Sequence, residues 1–200
     1  ASSMLVIPQF AISAFSLEYL VRQHGWQAAL AGGVLAAFQV AGATGRIGAG
    51  FVSDAMRSRL QPMRMLAVAS TAVLLLFALG DATASALAVL ALGLGAVITV
   101  ADNGLAFASV AELAGTAWAG RALGAQNTAQ NIAAALTPPL LGALISSSSY
   151  AVGFAVCAVF PMLAIALTPI NAEHRPPRRD PPRSAARAAA SGTRGGRAVG

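Results

Sequence analysis

The chain has 200 residues, of which 56% are hydrophobic and only 10% charged. A soluble domain carries about 25% charged residues, so a water-facing surface over a core of this size is excluded. The net charge of +6 comes from 13 arginines, seven of them beyond Ile170; this distribution suits a membrane surface and argues against a nucleic-acid-binding face.

The apolar residues fall in long blocks. About 20 of them in helix cross a hydrocarbon core of roughly 30 Å, and helices satisfy their own backbone groups there. The alternating short strands of a barrel are not found. The first block runs over residues 4–21 and ends in a short turn, Arg22 to Trp26, with a Trp suited to the interface. The second, 27–52, is rich in small residues and leads into a polar, arginine-rich loop from Asp54 to Arg64 that contains Pro62. A third block, 65–79, is followed by a small acidic turn, and a fourth, 85–110, by a loop from Glu112 to Gly124. The fifth, 125–145, is interrupted by Pro138 and Pro139; after a serine-rich turn the sixth, 151–170, contains Pro161. The fold class is therefore all-α, a polytopic membrane bundle of six helices. Residues 171–200, built from Arg, Pro, Ala and Gly, lack the apolar content for a core and are expected to be a disordered tail.

Arginine counting orients the bundle. Six alternating spans put Arg57, Arg59, Arg64, Arg121 and the tail on one side and only Arg22 on the other. The positive-inside rule makes the arginine-rich side cytoplasmic, so both termini of the segment are expected inside a cell inner (plasma) membrane. The chain opens on Ala1, apolar almost at once and without the charged region of a signal peptide, which leads us to expect further protein upstream. Lone Cys157 sits in an apolar block and reads as a small buried hydrophobe. No His lies within a span, and neither a Gly-x-Ser-x-Gly nor a His-Glu-x-x-His motif occurs; an intramembrane enzyme is disfavoured, and nothing calls for a metal or cofactor.

Two segments carry a family resemblance. Gly45 to Arg59 contains the spacing Arg46-x3-Gly50-x3-Asp54 followed by Arg57 and Arg59, which resembles the signature loop of the Major Facilitator Superfamily. It departs from that signature at Ala55, where a basic residue is usual, and at Arg57, where Gly is usual; it looks like the weaker copy found between helices 8 and 9. Gly120 to Gly124, followed by Gln126, Asn127, Gln130 and Asn131, resembles the start of the family's eleventh helix. Pro138 to Gly142 is similar to the middle of that helix, and Tyr150 to Phe160 to the twelfth. The resemblance thus covers nearly all of residues 1–170 as the C-terminal six-helix half, helices 7 to 12.

The resemblance implies a secondary transporter that moves a small solute by alternating access, its site enclosed between this half and an N-terminal one. It implies a cytoplasmic gate formed by Arg46, Gly50, Asp54, Arg57 and Arg59, which Glu112 is expected to join, with Gly50 letting a neighbouring helix approach. The Pro138-Pro139-x2-Gly142 element, similar to a motif of the family's antiporters, tilts the expectation towards efflux. Polar groups within spans are costly unless they face a cavity or a partner. The pathway candidates are accordingly Asp102, which could carry a proton or meet a cationic substrate, with Asn103, Gln39, Gln9, Asn127, Gln130 and Asn131. The polar stripe of the fifth helix is expected to line the pathway or bond to the fourth helix, and Glu18 to pair with Arg22 near the outer surface. The alternative to a working transporter is a six-helix fragment without activity of its own. The expected partners are the small-molecule substrate, the lipid bilayer and the absent N-terminal half.

Overall fold

The computed structural model describes residues 1–170, and the tail lies outside the described residues. Within them the chain is all-α, in eight helices: α1 (Ser2–His24), α2 (Ala28–Met56), α3 (Leu60–Ala82), α4 (Leu87–Ile98), α5 (Asn103–Ala114), α6 (Ala119–Ser147), α7 (Tyr150–Cys157) and α8 (Val159–Leu167). These form six passes, because α4 with α5 and α7 with α8 are each one span with an interruption. Five segments among the described residues are long and apolar enough to cross a membrane: α1, α2, α3, Leu87–Ala114 and Tyr150–Leu167. The sixth pass, α6, is 29 residues long, but Arg121, Gln126, Asn127, Gln130 and Asn131 dilute its first half.

Most helices run past the apolar blocks that announce them. The broad loop expected over Asp54–Arg64 shrinks to Arg57–Arg59, and α3 begins at Leu60 instead of residue 65. Arg, Gln, Met and Leu are good helix formers, so polar sequence at a span's end extends the helix into the interface and does not stop it. The α2–α3 turn is stitched by side chains: the buried Ser53 hydroxyl donates to the Ser58 carbonyl at 2.8 Å, and Ser58 Oγ accepts the Gln61 N–H at 3.0 Å.

The prolines act unequally. Pro161 cannot donate to the Cys157 carbonyl four residues back and its ring crowds it; α7 ends at Cys157 and α8 resumes at Val159. Pro8, Pro138 and Pro139 sit inside helices that stay continuous. Conversely, the fourth pass breaks with no proline at all. Its sequence brings β-branched Val97, Ile98, Thr99 and Val100 against Asp102 and Asn103, whose side chains compete with helical bonding.

The bundle packs around α3, which lies against α4, α7 and α8, while α1 packs on α6 and α8, and α2 chiefly on α4. Leu74, Phe77, Leu20, Leu92, Phe154 and a bed of alanines (Ala88, Ala91, Ala96) form the main core. Tyr19 stacks edge-on against Phe77 and Tyr150, with ring centroids 4.8 and 5.1 Å apart. A smaller core at the arginine-rich end joins Leu5, Met63, Ala67, Ala106 and Ala164. Glycine permits the closest approach at Gly80, where a Cβ would collide with the Ala88 backbone. By contrast α2 is almost bare, with 11% of its apolar window buried against 33 to 56% for the other spans.

Candidate functional site

The interruption of the fourth pass is a turn over Thr99–Asp102. The hydrophobic blocks put Asp102 near a helix end; because the pass continues to Ala114, Asp102 lies close to its middle. Thr99 Oγ1 donates back to the Gly95 carbonyl at 2.7 Å and Ala101 N–H to Ile98 at 3.2 Å, leaving the Val100 carbonyl to another helix. That carbonyl accepts from Arg46 Nε of α2 at 3.0 Å. Gly42, one turn earlier on α2, makes this reach possible: a Cβ there would stand 3.2 Å from the Ala96 carbonyl and 3.0 Å from Val100 Cγ2.

Each half of the broken helix thus meets a charge of the sign its dipole favours. The Val100 carbonyl, just past the end of α4, accepts from Arg46, and Asp102 stands at the N-terminus of α5. Asp102 is 2% exposed, and among the described residues its Oδ2 has no hydrogen-bond partner. Arg46 is the charged side chain that acts on it electrostatically. Arg46, which the resemblance groups with the gate residues, has its Nε on the Val100 carbonyl at the break in the fourth pass.

Around the break the pathway candidates separate into two sets. Asn103 Nδ2 donates to Gln9 Oε1 at 3.1 Å, tying α5 to α1. Gln126 and Gln130 of α6 donate to the Ser2 hydroxyl at 3.0 and 2.6 Å. The expected bond from this stripe to the fourth helix is thus replaced by one to the first, which lies alongside α6. Ser2 went unremarked in the sequence because a serine just ahead of the first apolar block gives no signal of its own. Asn127 and Asn131 are exposed and bond only along their own helix, Asn131 Nδ2 donating to the Asn127 carbonyl at 2.8 Å. Gln39 is exposed on α2. A cleft of about 810 Å³ between α2 and α4 lies near it, lined by Val34, Phe38, Leu90, Leu94 and Val97, with His24 and Trp26 its most polar side chains.

At the arginine-rich end Arg59 is the hub. Its Nη1 donates to Asp54 Oδ1 at 2.7 Å and to Ser53 Oγ at 2.9 Å, and its Nε donates to Glu112 Oε1 at 3.3 Å. The hydrogen bond to Asp54 leads the interactions that raise the pKa of its guanidinium above the ordinary arginine range. Asp54, Arg59 and Glu112 are thus brought together, joining the ends of α2, α3 and α5. Arg57 serves differently, as the left-handed residue that ends α2 at φ 49°. Nothing in this half approaches Gly50, where a Cβ would meet open space; the close approach expected there occurs at Gly42 and Gly80. At the other end Glu18 and Arg22 pair at 3.0 Å. Asp81 Oδ2 accepts the Ala151 N–H at 2.8 Å, capping the last span from the end of α3; the sequence showed only a small acidic turn there.

An all-α bundle whose spans are this long and apolar is that of a polytopic membrane protein. The sequence model of the Major Facilitator Superfamily matches residues 10–195, and the chain belongs to that family. Two relatives are MFS-type transporters from two strains of Mycobacterium tuberculosis, both named as uncharacterized. Each is 43% identical over 171 residues, covering 86% of this chain and 38% of the relative. The chain thus spans well under half the length of the curated relatives it matches. No solved structure matches it. Family membership makes it a multi-pass membrane protein of a transporter family, not of an enzyme family.

Proposed function

We propose that these residues form the C-terminal six-helix half of a secondary transporter, moving a small solute by alternating access together with an N-terminal half. The observation that carries this reading is the broken fourth pass, with Asp102 buried at mid-span and Arg46 reaching across from α2. Discontinuous helices offer a solute dipole ends and free backbone groups at the membrane midplane. The Gln9–Asn103 pair extends this polar region to α1, and exposed Gln39, Asn127 and Asn131 face the side that the other half closes. Asp102 carries the coupling proton, and the direction of transport is efflux from the cell. The Asp54–Arg59–Glu112 cluster holds the cytoplasmic side shut between cycles, and both termini of the segment lie on the cytoplasmic side of the plasma membrane.

The relatives' greater length favours a requirement for a second half. The test is reconstitution in liposomes under an imposed pH gradient, with the chain alone and with an N-terminal half of the same family, following a solute mixture by mass spectrometry. Solute movement with both halves present and none with either alone is the expected result. No movement under any condition would leave a six-helix membrane fragment without transport activity.

A further inference from the structure

Arg46 lies ten residues before the end of α2 at Met56, roughly 15 Å along the axis at 1.5 Å per residue. It is therefore inside the hydrocarbon zone, yet exposed on the surface of this half. A guanidinium at that depth is too costly to face lipid, so it faces a cavity or a partner. Its Nε is already held by the Val100 carbonyl at 3.0 Å, which fixes the plane of the group. Among the described residues its two Nη groups have no hydrogen-bond partner. A guanidinium anchored through Nε with both Nη groups free presents the edge that matches a carboxylate in a bidentate pair.

Beside it stands Asp102, 2% exposed and with Oδ2 unpartnered among the described residues. The other charged groups on the elements packed around α4 and α5 stand near helix ends: Glu18 and Arg22 on α1, Asp54 on α2, Arg64 and Asp81 on α3, Arg121 on α6, and Glu112 on α5 itself. Arg46 is held at the Val100 carbonyl, two residues before Asp102. An unpaired buried carboxylate is expensive in a medium that solvates charge poorly. Asp102 therefore has two stable conditions: ionised and drawing on Arg46, or protonated while Arg46 is free for another anion.

We infer that Arg46 is the substrate-binding cation of this half and that the transported solute is a carboxylate whose binding is linked to proton uptake by Asp102. This rests on the transporter reading above and names its substrate class. With the site empty, ionised Asp102 is balanced by Arg46. A carboxylate engaging the Nη edge takes that balance away, and Asp102 takes a proton from the water facing the site. One anion and one proton are then loaded together without net charge. Opening to the other side releases both, and Asp102 returns to Arg46. The Val100 carbonyl keeps Arg46 in register with the break throughout, and Gly42 keeps α2 close enough for that bond.

The test uses the purified protein in lipid nanodiscs, with thermal stability read against acetate, benzoate and succinate, against benzamide as the uncharged match of benzoate, and against benzylamine. Stabilisation by carboxylates, stronger at lower pH and absent with benzamide, is the expected result. Arg46→Gln should weaken carboxylate binding about 10- to 100-fold, the effect of losing a charged bidentate partner, with Arg46→Lys between. Asp102→Asn, which stands in for the protonated acid, should remove the pH dependence of carboxylate binding, which a merely structural role for Asp102 would not do. The melting point of each variant without ligand reports folding separately. Binding that survives Arg46→Gln, a panel in which no carboxylate stabilises, or Asp102-dependent stabilisation by benzylamine would each overturn the inference. Liposomes that move solute independently of Arg46 would overturn it while leaving the transporter reading intact. Carboxylate binding without transport would do the reverse.

Discussion

At the scale of single residues, the departures from the family's signature loop acquire physical meaning. The position where Gly is usual is Arg57, which ends α2 in the left-handed region at φ 49°. A side chain there costs about 1–2 kcal/mol that glycine avoids. Arg57→Gly is therefore expected to raise stability by about 1 kcal/mol, measured by thermal unfolding in detergent. A fall in stability would mean that the Arg57 side chain, and not the backbone, secures the turn. The neighbouring ion pairs of Arg59 involve partners that are largely exposed, so each is worth about 1 kcal/mol or less. Pairs this weak cost little to break. Asp81 shows the opposite use of a carboxylate: fixed on a backbone N–H of the last span, it holds one helix to another and needs no charged partner.

Among the elements, the bundle divides into contacts that glycine makes tight and faces that remain open. Gly80→Ala is expected to destabilise by about 1–3 kcal/mol, the cost of overpacking, because its Cβ would meet the Ala88 backbone, which cannot rotate away. Gly48→Ala, on the bare face of α2 where nothing lies within 4 Å, should be neutral or gain up to about 1 kcal/mol through helix propensity. Parallel melting curves of the two variants make the comparison; equal effects would mean that α3 and α4 do not approach at Gly80. The fourth pass also shows which local signals a sequence carries plainly. In the sixth pass Pro161 marks the interruption, yet the same missing N–H at Pro138 and Pro139 leaves α6 continuous. The break at Thr99–Asp102 is not announced, because β-branched and polar residues weaken a helix without forbidding it. Arg46 of α2, 54 positions away in the chain, is what satisfies the freed Val100 carbonyl.

For the whole molecule, the uneven cover of the helices argues for a second body. Asn127 and Asn131 on α6 are exposed together with Gln39 on α2, a polar surface that lipid would not stabilise. Leu75 and Leu79 on α3 are exposed as well, but apolar and suited to acyl chains. Single cysteines placed at these positions in a background lacking Cys157 should separate the two environments. Those at Asn127 and Asn131 are expected to react with a water-soluble maleimide in intact membranes, and those at Leu75 and Leu79 to resist it. Equal labelling of both sets would mean that the polar face of α6 does not line a water-filled route.

The sequence by itself determined the class, the all-α fold and the family, because span length, charge scarcity and arginine placement are local or additive properties that need no knowledge of packing. It also offered the candidates, since a polar residue inside an apolar block is conspicuous wherever its side chain points. Which of them meet was left to the tertiary structure. Hydrogen bonds between Asn103 and Gln9, or between Gln130 and Ser2, join residues 94 and 128 positions apart, and no periodicity encodes such pairings. The bond from Arg46 to the broken span was decided in the same way. A helix pattern fixes the face on which a side chain lies, but the rotation and approach of neighbouring helices, set here by Gly42 against the backbone of α4, decide what that face touches.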